Sequence, residues 1–119
     1  MRTEARRLGS TLFRNNSGVL NDALGRPVRF GLGNESKKQN EHIKSSDLIG
    51  ITPIIITQEM VGKTIGVFTS LEIKREDWTF SPKDKREVAQ KNWIDFILMH
   101  GGFAGFANSV DRVIEILKR

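Results

Sequence analysis

The stretch from Ser81 to Leu117 constrains the fold more than any other part of this chain. Ser81-Pro82-Lys83-Asp84 opens a helix, because Ser, Pro and Asp suit a first turn whose backbone N–H groups lack intrahelical partners. Val88, Trp93, Ile94, Ile97 and Leu98 then form one stripe, and Gly101-Gly102 stops the helix near His100. Phe103 to Ala107 reads as a short strand. Asn108 or Ser109 caps a last helix with Val110, Val113, Ile114 and Leu117 along one side. Two one-sided helices separated by a strand need a sheet to cover. The expected class is α/β.

Upstream, Ala5, Leu8, Leu12 and Phe13 recur at helical spacing, so residues 1–13 are expected to form a first amphipathic helix. Arg14-Asn15-Asn16-Ser17-Gly18 ends it, and residues 19–26 read as a connection. Pro27 to Gly31 is a short strand, with Pro27 at its start, where a missing N–H is tolerated. Gly33 to Ser46 is polar, with Ile43 its only large apolar residue, and reads as a long loop. Asp47 to Ile51 begins a strand that Ile54 to Thr57 extends or follows after a bend at Pro53. Glu59 to Lys63 makes a turn, and Thr64 to Lys74 is the longest strand candidate. The resulting order is α-β-β-β-α-β-α, a mixed sheet flanked by helices.

At 119 residues there is room for one core, so residues 1–119 are expected to form a single domain. No apolar run approaches the roughly 20 residues a membrane-spanning helix needs. The first seven residues lack the apolar core of a secretory signal, and cysteine is absent, which excludes disulfides, thiolate catalysis and cysteine-type zinc sites. A cytoplasmic protein is expected. The net charge of +5 favours a polyanionic partner, although Lys and Arg are spread along the chain rather than gathered in one block.

The chemistry concentrates in Leu71-Glu72-Ile73-Lys74-Arg75. On a strand, Glu72 and Lys74 share one face while Leu71, Ile73 and Arg75 take the other. Taken alone, an E-x-K pair reads as an exposed acid and base on an edge strand. A second carboxylate nearby changes that reading. Asp47 opens the preceding strand, and a hairpin between the two would return Glu72 beside it. Two converging carboxylates call for a cation, and oxygen-only ligands suit Mg²⁺ or Mn²⁺. The Ile73 carbonyl can add an oxygen while its side chain anchors the strand in the core. Lys74 would neutralise charge developing on a phosphorane. Asp47 next to Ser45-Ser46 reads equally as a loop-ending cap.

Taken in order, several segments form a recognisable set. They are the N-terminal helix with Glu4, Arg14-Asn15-Asn16, Gly25 to Gly31, Ser46 to Gly50, Leu71 to Arg75, Gln90, and Gly101-Gly102-Phe103-Ala104. Together they resemble a stand-alone virus-type replication-repair nuclease (VRR-NUC) domain of the PD-(D/E)xK superfamily. The resemblance implies a restriction-endonuclease-like fold, with Asp47, Glu72 and the Ile73 carbonyl on the metal and Lys74 as the catalytic lysine. It also implies supporting roles for Glu4 and Gln90. Gln90 stands three and four residues before Trp93 and Ile94, near the buried stripe of its helix. The implied activity is metal-dependent hydrolysis of DNA, structure-selective for branched substrates such as four-way junctions. The implied form is a homodimer, in a phage-type or viral setting in a bacterium or infected host cell. The Gly33–Ser46 loop is longer than the short glycine-rich link expected in this family.

Arg14, Asn15, Asn16 and Arg29 can contact phosphates, and Lys37, Lys38 and Lys44 can track a nucleic-acid backbone; solvated charge and turn chemistry explain the same residues. Gly62-Lys63-Thr64 is not a P-loop, because Thr57 occupies the position of the required first glycine. His42 and His100 lack ligand partners at metal spacing. Two alternatives to a self-sufficient nuclease stay open. One is a non-catalytic nucleic-acid-binding module that keeps the fold, and the other a nuclease that needs a partner protein.

Overall fold

Caps and glycines, more than long apolar runs, set the ends of the elements. The computed structural model describes residues 1–117 and is mixed α/β, with its contacts gathered into two compact units, Met1–Gly50 and Ile51–Arg119.

The first unit begins with α1 (Arg2–Arg7), which stops at Gly9, whose φ of 90° lies in the left-handed region that glycine alone enters without strain. The chain then extends as β1 (Thr11–Arg14). β2 (Gly18–Asn21) and β3 (Pro27–Phe30) form an antiparallel hairpin in which Val19 faces Arg29 and Leu20 faces Val28. Asp22 closes it: Oδ1 accepts from the Leu24 and Arg26 amides, each at 2.9 Å, and Oδ2 accepts from the Arg26 guanidinium at 2.8 Å. Those bonds, led by the Arg26 backbone amide, hold the Asp22 carboxyl below its ordinary pKa. A short helix, α2 (Lys37–His42), follows Ser36, whose hydroxyl accepts from the Gln39 amide at 3.0 Å. β4 (Leu48–Ile51) pairs with β1, and the two backbones approach so closely that a Cβ on Gly50 would collide with the Thr11 carbonyl oxygen.

The second unit is built on β5 (Thr69–Ile73), α3 (Lys85–Met99) and β6 (Phe103–Ala107), with β5 and β6 parallel and Glu72 level with Phe106. Asp84 caps α3 through Oδ1, which accepts from the Arg86 and Glu87 amides at 2.9 and 3.1 Å. Ile94, Ile97 and Ala104 form the core, with Phe68, Trp93, Phe96 and Phe106 packed around it. Ile97 is fully enclosed, at 0% exposure. α4 (Val110–Leu117) follows Ser109, whose hydroxyl accepts from the Arg112 amide at 3.1 Å.

Several expectations need correction. The first helix ends at Arg7 rather than Phe13, and Leu12 and Phe13 belong to β1, because Gly9 breaks the run. Residues 19–26 are not merely a connection but carry β2 and the Asp22 turn. The Gly33–Ser46 loop contains α2. Residues 52–68 hold no strand, only a single 3₁₀ turn at Gln58–Met60, so Ile54 to Thr57 is irregular and β5 starts at Thr69 rather than Thr64. The hairpin expected between Asp47 and Glu72 is therefore not formed, and β4 pairs with β1 while β5 pairs with β6. In place of one mixed sheet, the described residues form three separate two-stranded pairs. Ile73 does not anchor the core. It is 66% exposed, because Glu72 faces α3 and its neighbour on the strand must face the other way.

Candidate active site

Strand alternation puts Ser70 and Glu72 on the face of β5 that α3 covers, and both are held from that helix. The Trp93 indole N–H donates to Ser70 Oγ at 2.9 Å. One helical turn earlier, Gln90 Nε2 donates to Glu72 Oε1 at 2.9 Å, and Gln90 Oε1 accepts from Lys74 Nζ at 2.8 Å. A single amide thus bridges the acid and the amine. Lys74 Nζ stands 3.9 Å from Glu72 Oε1, a looser electrostatic contact than either hydrogen bond.

Lys74 is fixed at both ends. Its backbone N–H donates to the Ala107 carbonyl at 2.9 Å, continuing the β5–β6 ladder past the end of the strand. Its ammonium lies 5.7 Å from the ring centres of both Trp78 and Phe106, whose rings are themselves 4.7 Å apart. Two aromatic rings and the Gln90 oxygen surround the Lys74 ammonium, whose side chain is only 16% exposed. Trp78 is anchored in turn, since its indole N–H donates to the buried Glu87, whose other oxygen accepts from the Ser81 amide at 3.2 Å. Asn108 ties the loop carrying Trp78 to β6 by donating to the Glu76 carbonyl at 3.1 Å.

Glu72 opens onto a cavity of about 300 Å³ lined by Ser70, Arg86, Gln90 and Trp93. Its side chain is 39% exposed, and Oε2 accepts no hydrogen bond among the described residues. Arg86 lies one turn before Gln90 on the same side of α3 and also lines the cavity. Oxygen donors without thiolate or imidazole are the type that hard divalent cations take, and Glu72 is the one carboxylate among the described residues lining this cavity. No group of three or more His, Asp or Glu side chains that could hold a metal ion is formed among the described residues.

Of the residues singled out in the sequence, Glu72, Lys74 and Gln90 are brought into one network. Asp47 belongs to the first unit and is exposed. Its carbonyl accepts from the Asn15 amide at 2.9 Å, while the Asn15 side chain donates to Ser45 Oγ and the Ser46 carbonyl at 2.8 and 2.9 Å. Asn15 thereby shapes the approach to Asp47. Glu4 is exposed and paired with Arg7 at 2.9 Å. Arg14 and Asn16 are exposed, Arg29 donates to Asn34, and Lys37 and Lys38 occupy the first turn of α2.

Trp78, Phe106, Glu87 and Arg86 were not picked out from sequence. Arg86 stands four residues before Gln90, a spacing that the sequence displays. For Trp78 no local signal existed, because its partner Phe106 comes from a distant strand. Comparison with protein-family models, with curated proteins and with solved structures finds no match to this chain.

Proposed function

We propose that this chain is a metal-dependent deoxyribonuclease of the PD-(D/E)xK type, similar to the stand-alone VRR-NUC domains. The observation that carries the reading is the Glu72–Gln90–Lys74 bridge, of which Glu72 and Gln90 line a cavity. Mg²⁺ or Mn²⁺ held by Glu72, with the Ile73 carbonyl as a further oxygen, would polarise the scissile phosphate as a Lewis acid.

The protein's own contribution is electrostatic. Lys74 presents an ammonium whose direction is fixed by Gln90 and by two aromatic rings, so its charge would meet the negative charge that builds on the phosphoryl oxygens without reorganising first. Arg86 is placed to hold a non-bridging phosphate oxygen. Gln90 is a positioning residue that holds Glu72 and Lys74 apart at a set distance. The restriction-endonuclease-like fold, a homodimer and a preference for branched DNA complete the proposal. A two-fold axis would let two copies cut opposed strands symmetrically.

Cleavage of labelled four-way-junction and linear duplex DNA by wild type and Lys74→Ala, in Mg²⁺, Mn²⁺ or EDTA, tests it. Metal-dependent cutting by wild type, lowered roughly 10²–10³-fold or more in Lys74→Ala, is expected. Undiminished cutting by Lys74→Ala would remove the site assignment. Tight binding without cutting in any metal would favour a binding module or an enzyme awaiting a partner.

A further inference from the structure

Asn34 is one of the two polar or charged side chains buried among the described residues, at 4% exposure. Its amide is fully engaged. Nδ2 donates to the Gly18 and Phe30 carbonyls at 2.8 and 3.0 Å, and Oδ1 accepts from the Arg29 guanidinium at 2.7 Å. Gly18 and Phe30 are the paired ends of the β2–β3 hairpin, so Asn34 fixes Arg29 against a rigid frame. Beside it lies a polar cavity of about 280 Å³, lined by Ser17, Arg29, Asn34, Asn40, Lys44 and Ser45 together with Gly18 and Val19.

No acidic side chain lines this cavity, and neither Arg29 nor Lys44 carries an ion pair among the described residues. Two cations sharing one concavity without a counter-charge raise its potential and draw in an anion. Ser45 belongs to the wall, because its hydroxyl donates to the Leu32 carbonyl at 2.6 Å and accepts from Asn15. Ser17 and Asn40 contribute a hydroxyl and an amide as neutral donors. A guanidinium fork held by an amide, an ammonium and two neutral donors match the charge and oxygen count of a tetrahedral oxyanion.

We infer that this cavity is a binding site for a single phosphate group. The group is either a phosphodiester of a nucleic-acid backbone or a free phosphate. The site does not depend on Glu72 or Lys74, and it stands whether or not the chain cleaves DNA.

The test is a titration of the whole protein with inorganic phosphate at fixed ionic strength, following the Asn34 side-chain amide by NMR. A saturable shift is expected, weakened at least tenfold in Lys44→Met. Lys83→Met, a charge control from the second unit, should leave it within twofold. Arg29→Lys keeps the charge and loses the fork, so it should weaken binding while leaving the protein folded. Competition by a short DNA duplex, or a Lys44-dependent shift produced by duplex alone, would assign the site to backbone phosphate. Saturation by phosphate that duplex does not displace would assign it to the free anion. No saturable shift with either probe, or equal losses in Lys44→Met and Lys83→Met, would overturn the inference.

Discussion

Gln90 shows how much a neutral side chain can determine. Its amide donates to an acid and accepts from an amine without carrying charge of its own. Gln90→Ala should remove a hydrogen-bond partner from both Glu72 and Lys74. If Glu72 binds the metal, cleavage should need about 10–100-fold more Mg²⁺ to reach half its maximal rate, the usual cost of losing a group that orients a ligand. A metal titration of the cleavage rate checks this. A drop in maximal rate with an unchanged metal requirement would mean that Gln90 serves Lys74 alone. Glu72 and Lys74 were legible from sequence, because alternation along a strand puts them on one face whatever the strand pairs with. Their aromatic neighbours were not, since Phe106 reaches Lys74 only through the parallel pairing of β5 with β6.

At the scale of elements, the second unit rests on α3 against the β5–β6 pair. Ile97→Ala should cost about 2–5 kcal/mol, since nothing at a fully enclosed site relaxes easily into the void. Chemical denaturation measures it, and a loss below 1 kcal/mol would show a looser core than the packing indicates. The β2–β3 hairpin carries a pH-dependent tie. Asp22 has a depressed pKa in the folded chain, so its contribution is complete well above the ordinary value of 3.8 and fades as pH falls below that value through the folded one. Leu24 and Arg26 amide shifts should report the loosening during acid titration, and Asp22→Asn should abolish that response. The elements of residues 84–117 were readable because caps and stop signals agree with periodicity: Asp84 and Ser109 cap their helices, and β6 spans Phe103–Ala107 as expected. The opposite held near the N-terminus. Leu8 to Phe13 has helical spacing, yet Thr11, Leu12 and Phe13 form part of a strand once Gly9 resets the backbone.

Across the whole molecule, the +5 charge sets an expectation that needs no site at all. DNA binding should weaken with salt, each neutralised phosphate adding about 0.9 to the slope of log affinity against log salt. Arg14→Ala, at an exposed cation of the first unit, should lower that slope by about one phosphate's worth. Fluorescence anisotropy at several salt concentrations measures both. An unchanged slope would place Arg14 off the DNA path. The long-range organisation was the least legible level. Which strands pair, and that three short pairs form instead of one sheet, depends on close approaches such as Gly50 against Thr11 that leave no periodic trace in sequence. No helix among the described residues is long and apolar enough to cross a membrane.

The 3.9 Å between Lys74 and Glu72 has a further implication. Left to themselves, an acid and an amine on one strand face close into a contact pair and quench each other. The intervening amide prevents that closure, and it neither takes up nor gives off a proton as conditions vary. The free carboxylate oxygen of Glu72 therefore stays available to whatever enters the cavity. The spacer between them has no proton to exchange and so adds no acidity dependence of its own.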